Sequence, residues 1–292
     1  DLPVTAHYAY YSAHSADGLH WTVDGPDPAW PWSDVITSAW DPWAGNALVA
    51  MKNNGRSAGL YRRRFQTARW SAEECGRPVT ALIADEYDDQ LARARGFQSA
   101  DYYGLGLYPG PTVNIGFLWN FRHQAPLNSN SKFGRWGKIG CVDISLVYQT
   151  EPGGRWQHLP GRPDWLSARD MPAWATGALY TASSPIDVGD ETRLYFTGTR
   201  DRHGWAGEDV DAAAFRNKQG MARIGLARWP RGRLMGCESR LRNLVRITPR
   251  PNDERPRLAR NAPRGQIGRV RAGRLPDNAG TPPGSALEHP AN

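Results

Sequence analysis

The chain has 292 residues, about 40% of them hydrophobic, and a formal net charge of +7, enough apolar content for a substantial core in one β-rich domain. The charge is concentrated: residues 240–292 hold eleven Arg and no Lys against two Asp and two Glu, which accounts for the whole excess. No Phe, Trp or Tyr is interleaved with those Arg, which argues against nucleic-acid binding, and no run of 18 apolar residues occurs, which excludes a membrane-spanning helix of the usual kind.

In chain order, residues 7–23 read as the outer strands of a first unit. They close on the turn Ser15-Ala16-Asp17-Gly18-Leu19-His20-Trp21. An Asp at that position is expected to hydrogen-bond its own turn backbone, with the Trp packed between strands. A Pro- and Trp-rich loop from Asp24 to Asp34 leads to a second unit, with strands at 36–42, 46–51 and 59–65 and a degenerate turn at Ser71–Glu74. The acidic stretch Asp85-Glu86-Tyr87-Asp88-Asp89 reads as a loop. A third unit has strands at 101–108, 112–119 and 142–148, with a long polar and basic loop over 122–138. The fourth has strands at 177–180, 192–198 and 222–229. Helical periodicity is almost absent.

Four partial strand-and-turn units repeating at several tens of residues predict an all-β fold, a β-propeller of antiparallel blades or part of one. Strand-like sequence begins by residue 7 and the chain does not open with Met, which suggests missing upstream blades and shows no signal peptide. The propeller is assigned to residues 1–236. Residues 237–292, rich in Arg, Pro and Gly, read as a disordered or loosely attached tail. Cys75, Cys141 and Cys237 are too few and too scattered for a disulfide framework or a clustered zinc site.

The order of the Ser-x-Asp-Gly-x-x-Trp turn, Trp40-Asp41-Pro42, Asp85–Asp88, Asp101-Tyr102-Tyr103-Gly104, Ile115–Trp119, Asp143–Leu146 and Gly189-Asp190-Glu191 resembles bacterial proteins grouped with glycoside hydrolase family 32. The resemblance covers residues 7–232. It implies a five-bladed propeller related to glycosidases of families 43 and 68, acting on a poly- or oligosaccharide with carboxylates at the propeller axis. Asp41 would match the Asp of the family's Arg-Asp-Pro motif, which stabilises the transition state, with Trp40 in place of the Arg. Asp101 would stand where the family has its acid/base Glu. Shielding by Tyr102 and Tyr103 would raise its pKa enough to donate a proton near neutrality. Ala175 occupies a place where relatives tend to show Asp, and the family's nucleophile has no match.

Glycoside hydrolysis needs two carboxylates about the scissile bond, so Asp41 and Asp101 are the expected catalytic pair. Trp40, Arg63, Glu86, Asp88, Tyr102, Trp119 and His203 are the expected substrate-binding residues. For Arg63 the alternation of a strand leaves open whether it or its neighbours Arg62 and Arg64 face the channel. The alternative is a propeller that binds carbohydrate without cleaving it. No nucleotide, flavin or transition-metal motif occurs, and residues 85–89 do not fit an EF-hand, so neither cofactor nor metal is expected.

Overall fold

The computed structural model describes residues 9–31, 34–57, 60–70, 76–124, 138–151, 154–204, 222–234, 237–238 and 244–245, of which 31, 54–57, 60–66, 70, 237–238 and 244–245 are described by backbone alone. By its contacts the chain divides into Asp1–Asn261, which holds every described element, and Ala262–Asn292, which lies outside the described residues. The expectation of a disordered tail therefore falls almost wholly outside them.

The described part is mostly β. Four two-residue strands come first, β1 (Ala9–Tyr10), β2 (Ala13–His14), β3 (Thr22–Val23) and β4 (Trp30–Pro31), with β1 paired to β4 and β2 to β3. An antiparallel four-stranded sheet follows, β5 (Ile36–Asp41), β6 (Asn46–Ser57), β7 (Leu60–Trp70) and β8 (Val79–Ile83), paired in chain order. After the helix α1 (Glu86–Arg93) comes a meander of β9 (Ser99–Tyr108), β10 (Asn114–Gln124) and β11 (Ile139–Gln149). Short strands β12 (Gln157–His158) and β13 (Asp164–Leu166) border β11. The last group is β14 (Ala178–Thr181), β15 (Ile186–Val188), β16 (Glu191–Thr199) and β17 (Ala222–Pro230), followed by the small hairpin β18 (Cys237–Glu238) and β19 (Leu244–Val245). A single parallel pair, Val142 with Ala178, joins β11 to β14 and makes one nine-stranded sheet of β9 to β17.

Side-chain patterns explain these assignments. In β5 exposed and buried residues alternate strictly, with Thr37, Ala39 and Asp41 turned inward, the period of a strand with one dry face. In β10 ten of eleven residues are buried, as expected for a strand covered on both sides. Three apolar clusters lie between successive groups of strands. Trp30, Val49, Met51 and Ala68 join β4 to the β6–β7 hairpin. Leu48, Ala50 and Leu82 of the four-stranded sheet meet Tyr102, Leu105, Leu118 and Trp156. Phe117, Trp119, Phe121 and Ile144 meet Leu179, Leu194, Phe196 and Trp229. Each large apolar side chain so buried contributes roughly 1.5–3 kcal/mol relative to exposure.

Two expectations change. The acidic stretch is not a loop: Asp85 caps α1, accepting from the backbone N–H of Tyr87 and Asp88, while the Asp88 carboxylate accepts from the Asp85 N–H, a reciprocal capping box. The Asp17 turn does bond its own backbone, with Oδ1 accepting from the N–H of Leu19 and His20 at 2.8 Å each. However, Trp21 is 64% exposed and not packed between strands. No helix among the described residues is long and apolar enough to cross a membrane.

Gly104 tests the packing between strand groups. A β-carbon there would collide with the indole of Trp119, whose ring is fixed by a 2.9 Å bond from Nε1 to Thr181. Gly104→Ala is expected to cost about 1–3 kcal/mol through overpacking, read as a lower midpoint in urea with an unchanged slope.

Candidate active site

β9 carries adjacent residues to opposite faces, and this divides the expected site residues. Asp101 lies opposite Phe121, which lies opposite Val142. On the reverse face Tyr102 lies opposite Asn120, which lies opposite Asp143. Between them, pairing shifts from Asn120–Tyr102 to Trp119–Gly104, so Tyr103 is the extra residue of a bulge. Such bulges re-aim a side chain. Here the Tyr103 ring turns to the Asp101 side, meeting His203 at 4.4 Å and Phe121 at 5.8 Å between ring centroids.

On that side Asp101, 1% exposed, meets two cationic or polar partners. Lys138 pairs with its Oδ2, and Nε2 of His123 lies 3.1 Å from the same oxygen. Burial by itself would push the carboxyl up, but the His123 hydrogen bond and the Lys138 charge outweigh it and hold the carboxyl well below the usual range. The expectation of a raised pKa is thereby corrected: this group is an ionised carboxylate at neutral pH, not a proton donor.

His203 is fixed beside it. Its backbone exchanges two hydrogen bonds with Gly140, and Nδ1 lies 3.0 Å from the Tyr180 hydroxyl. Gly140 is required there because a β-carbon would strike the Arg122 carbonyl. Burial, followed by the proximity of Tyr103, raises the Tyr180 pKa, so its hydroxyl stays protonated. Lys52, its side chain only 4% exposed, completes the group, with Nζ 2.7 Å from Asp34 Oδ2 and 3.6 Å above the Tyr103 ring. Asp34, Lys52, Asp101, Tyr103, His123, Lys138, Tyr180 and His203 thus gather where β5 and β9 begin.

Asp41 is elsewhere. It is the last residue of β5, not the first. The Lys52 backbone N–H bonds to Val35 while its ammonium lies on Tyr103, and the Thr37 hydroxyl bonds to the Leu105 carbonyl, so β5 and β9 run in the same direction. At about 3.3 Å per residue from that shared level, Asp41 and Asp101 are of the order of 20–25 Å apart along the strands. A glycosidase pair needs about 5–10 Å. Asp41 instead locks the β5–β6 turn: Oδ1 accepts from the N–H of Trp43 and Ala44, and Oδ2 from Arg69 at 2.6 Å. Trp40 stands beside it, 61% exposed, at that distant end.

The remaining expected residues divide similarly. Trp119 is buried against Tyr180 on the Asp101 side. Tyr102 and Asp88 are buried on the reverse face, where the Tyr102 hydroxyl donates to Asp88 at 2.6 Å. Glu86 is on the first turn of α1 and pairs with Arg93 at the surface. Arg63 lies opposite Asn54 in the β6–β7 ladder, its side chain outside the described residues. Sequence reading missed Asp34, Lys52, His123, Lys138 and Tyr180. Asp34 could have been found as the acid immediately before the alternating strand 36–41. Among the described residues no group of three or more His, Cys, Asp or Glu is placed to hold a metal.

No family model matches the chain. No curated protein matches it either. Among solved structures it is similar to one described as a glycoside hydrolase, with a TM-score of 0.42 and 12% identity, over 77% of this chain and 58% of that one. It is similar also to an N-acetylgalactosamine deacetylase from F. plautii in complex with blood group B trisaccharide, with a TM-score of 0.44 and 14% identity, over 77% of this chain and 61% of that one. The chain therefore spans about three fifths of each of these structures.

Two outcomes check the placement. Asp101 is depressed in the folded state, so its ionised form stabilises the fold above the unfolded value of about 3.9, and that contribution is lost as pH falls toward the folded value. Urea midpoints should therefore fall between about pH 5 and pH 3 more steeply in the wild type than in Asp101→Asn. Asp41→Ala should cost about 1–3 kcal/mol by leaving Arg69 and two turn N–H groups without the Asp41 acceptor, read as a lower midpoint in urea, while leaving the acid dependence due to Asp101 unchanged.

Proposed function

We propose that the protein is a carbohydrate-active β-propeller, residues 1–236, whose site is the opening formed where β5 and β9 begin. The observation that carries this reading is Asp101, a buried carboxylate kept ionised by His123 and Lys138 and bordered by Tyr103, Tyr180 and His203. Apolar clusters between consecutive strand groups support the propeller, because blades bury their faces only against one another.

The reaction we infer is glycoside hydrolysis. An ionised carboxylate suits the nucleophile or the water-activating base facing the anomeric carbon, where positive charge develops in the transition state. Asp34, before the neighbouring strand, is the second carboxyl group such a reaction requires: in its protonated form it gives its proton to the leaving-group oxygen, and Lys52 fixes its position. Tyr103 and Tyr180 offer aromatic faces to a sugar ring with a polar edge for its hydroxyls. The other reading, binding without cleavage, is favoured by Ala175, fully buried in the core in a 3-10 turn (Ala173–Ala175) ahead of β14, at a place where the resembled proteins tend to show Asp.

Release of reducing sugar from a panel of plant, bacterial and host polysaccharides tests the choice. Asp101→Asn and Asp34→Asn should each lower kcat about 10²–10⁴-fold with circular dichroism unchanged. Saturable binding by the wild type with no sugar released would replace hydrolysis by the binding reading, and neither binding nor release would remove the carbohydrate assignment.

A further inference from the structure

On the face of β9 opposite to Asp101, α1 and β12 meet the sheet at a single hydroxyl. The Tyr102 O–H donates to Asp88 Oδ2 at 2.6 Å, and Nε2 of His158 lies 3.0 Å from the same phenol oxygen. Burial, followed by the charge of Asp88, holds the Tyr102 pKa well above the ordinary value, so the hydroxyl keeps its proton. A phenol has one hydrogen to give. With that hydrogen on Asp88, the neutral His158 ring joins by donating from Nε2, which leaves Nδ1 as the place for an added proton.

The carboxylates beside it are already engaged. Arg162 Nη1 bonds to Asp85 Oδ1 and to Asp88 Oδ2 at 2.7 Å each, its Nη2 bonds to Asp85 Oδ2 at 2.8 Å, and its guanidinium lies over the Tyr87 ring. Asp88 Oδ2 also accepts from the Asp85 N–H at 3.0 Å, its third hydrogen bond. The groups that face His158 are thus Tyr102 from β9, Asp85 and Asp88 from α1, and Arg162 from the turn after β12, while β11 meets it through Val147. A charge on this half-buried ring would be set against the guanidinium. Burial, followed by Arg162, accordingly pushes the His158 pKa below its ordinary value in spite of Asp88 and Asp85.

These contacts also steady the start of β9. Asp89, on α1, accepts from the Ala100 N–H at 2.9 Å, and the Gln98 N–H, between α1 and β9, bonds to the His123 carbonyl at 3.0 Å. Ala100 precedes Asp101, and His123 is the partner of Asp101. On the other side of the contact, Arg162 has a left-handed backbone at φ 46°. Such a conformation persists only while its surroundings hold it, so the turn relaxes once the ion pairs part.

We propose that His158 is an acid-sensitive latch: a proton added to its ring sets it against Arg162 and releases the α1 N-terminus and the turn 159–162 from β9, loosening the strand start that carries Asp101. Because the folded pKa is depressed, the latch contributes fully above the unfolded value of about 6.5 and weakens as pH falls from there toward the folded value. It stands whether or not Asp101 hydrolyses a glycoside.

Hydrogen exchange of the full chain from about pH 7.5 to about pH 5, corrected for the intrinsic rate, tests it above the range in which Asp101 titrates. Amides of 86–93 and 157–162 are expected to lose protection about tenfold across this range, with those of β5 unchanged. His158→Gln, whose side-chain amide can still donate to Tyr102, should keep its protection throughout, and Asp101→Asn should behave as the wild type. No loss in the wild type, equal loss in His158→Gln, loss spread evenly over the protein, or a response that disappears in Asp101→Asn would each overturn the proposal. If the Gln variant does not fold, the His158 ring is titrated by NMR in the wild type. A midpoint below about 6.5 then supports the latch, and one at or above it overturns it.

Discussion

A strand covered on both faces must find a partner for each polar side chain on either side, and β9 does this with consecutive residues. Asp101 is turned toward Lys138 and His123, Tyr102 toward Asp88 and His158. A slip of one residue in the pairing of β9 with β10 would exchange these faces, setting a carboxylate against Asp88 and a phenol against Lys138. Register is therefore fixed by electrostatics as well as by the apolar clusters. The Tyr103 bulge lets the chain bring an aromatic ring to the Asp101 side without disturbing that register.

What could be read in the sequence was what depends on local pattern. The strands read at 36–42 and 101–108 and the Asp17 turn all follow from alternation or short motifs. The fold is accordingly β-rich as expected. The roles of Asp41 and Asp101 were less accessible. Both look like acids at a strand boundary, and only the direction of β5 relative to β9 separates one from the other. Asp101 has its ionisation state from Lys138 and His123, which bracket the long segment 122–138 and are recognisable only once β10 and β11 are paired. The helix α1 was legible in principle, since Asp85 and Asp88 have capping-box spacing, but the density of acids there reads equally as a solvated loop.

Aromatic residues divide in the same way. Trp119 is held by Thr181, Gly104 and Tyr180 and belongs to the core. Trp40 and Trp21 remain largely exposed despite standing in the most recognisable motifs. Motif strength in this chain reports the constraint of a turn, and burial is decided by which sheet face meets a neighbour.

The Ser15–Trp21 turn has its hydrogen bonds within seven residues, including that from Trp21 Nε1 to the Gly18 carbonyl. Its closure entropy is small. The Asp101 site instead collects side chains from residue 34 to residue 203 and cannot exist before the strands carrying them have docked. Assembly order follows: local turns form on the fast timescale of short contacts, and the ionised carboxylate at the strand openings is among the last features to appear. A chain arrested part-way would therefore display its most recognisable motif while holding none of the Asp101 cluster.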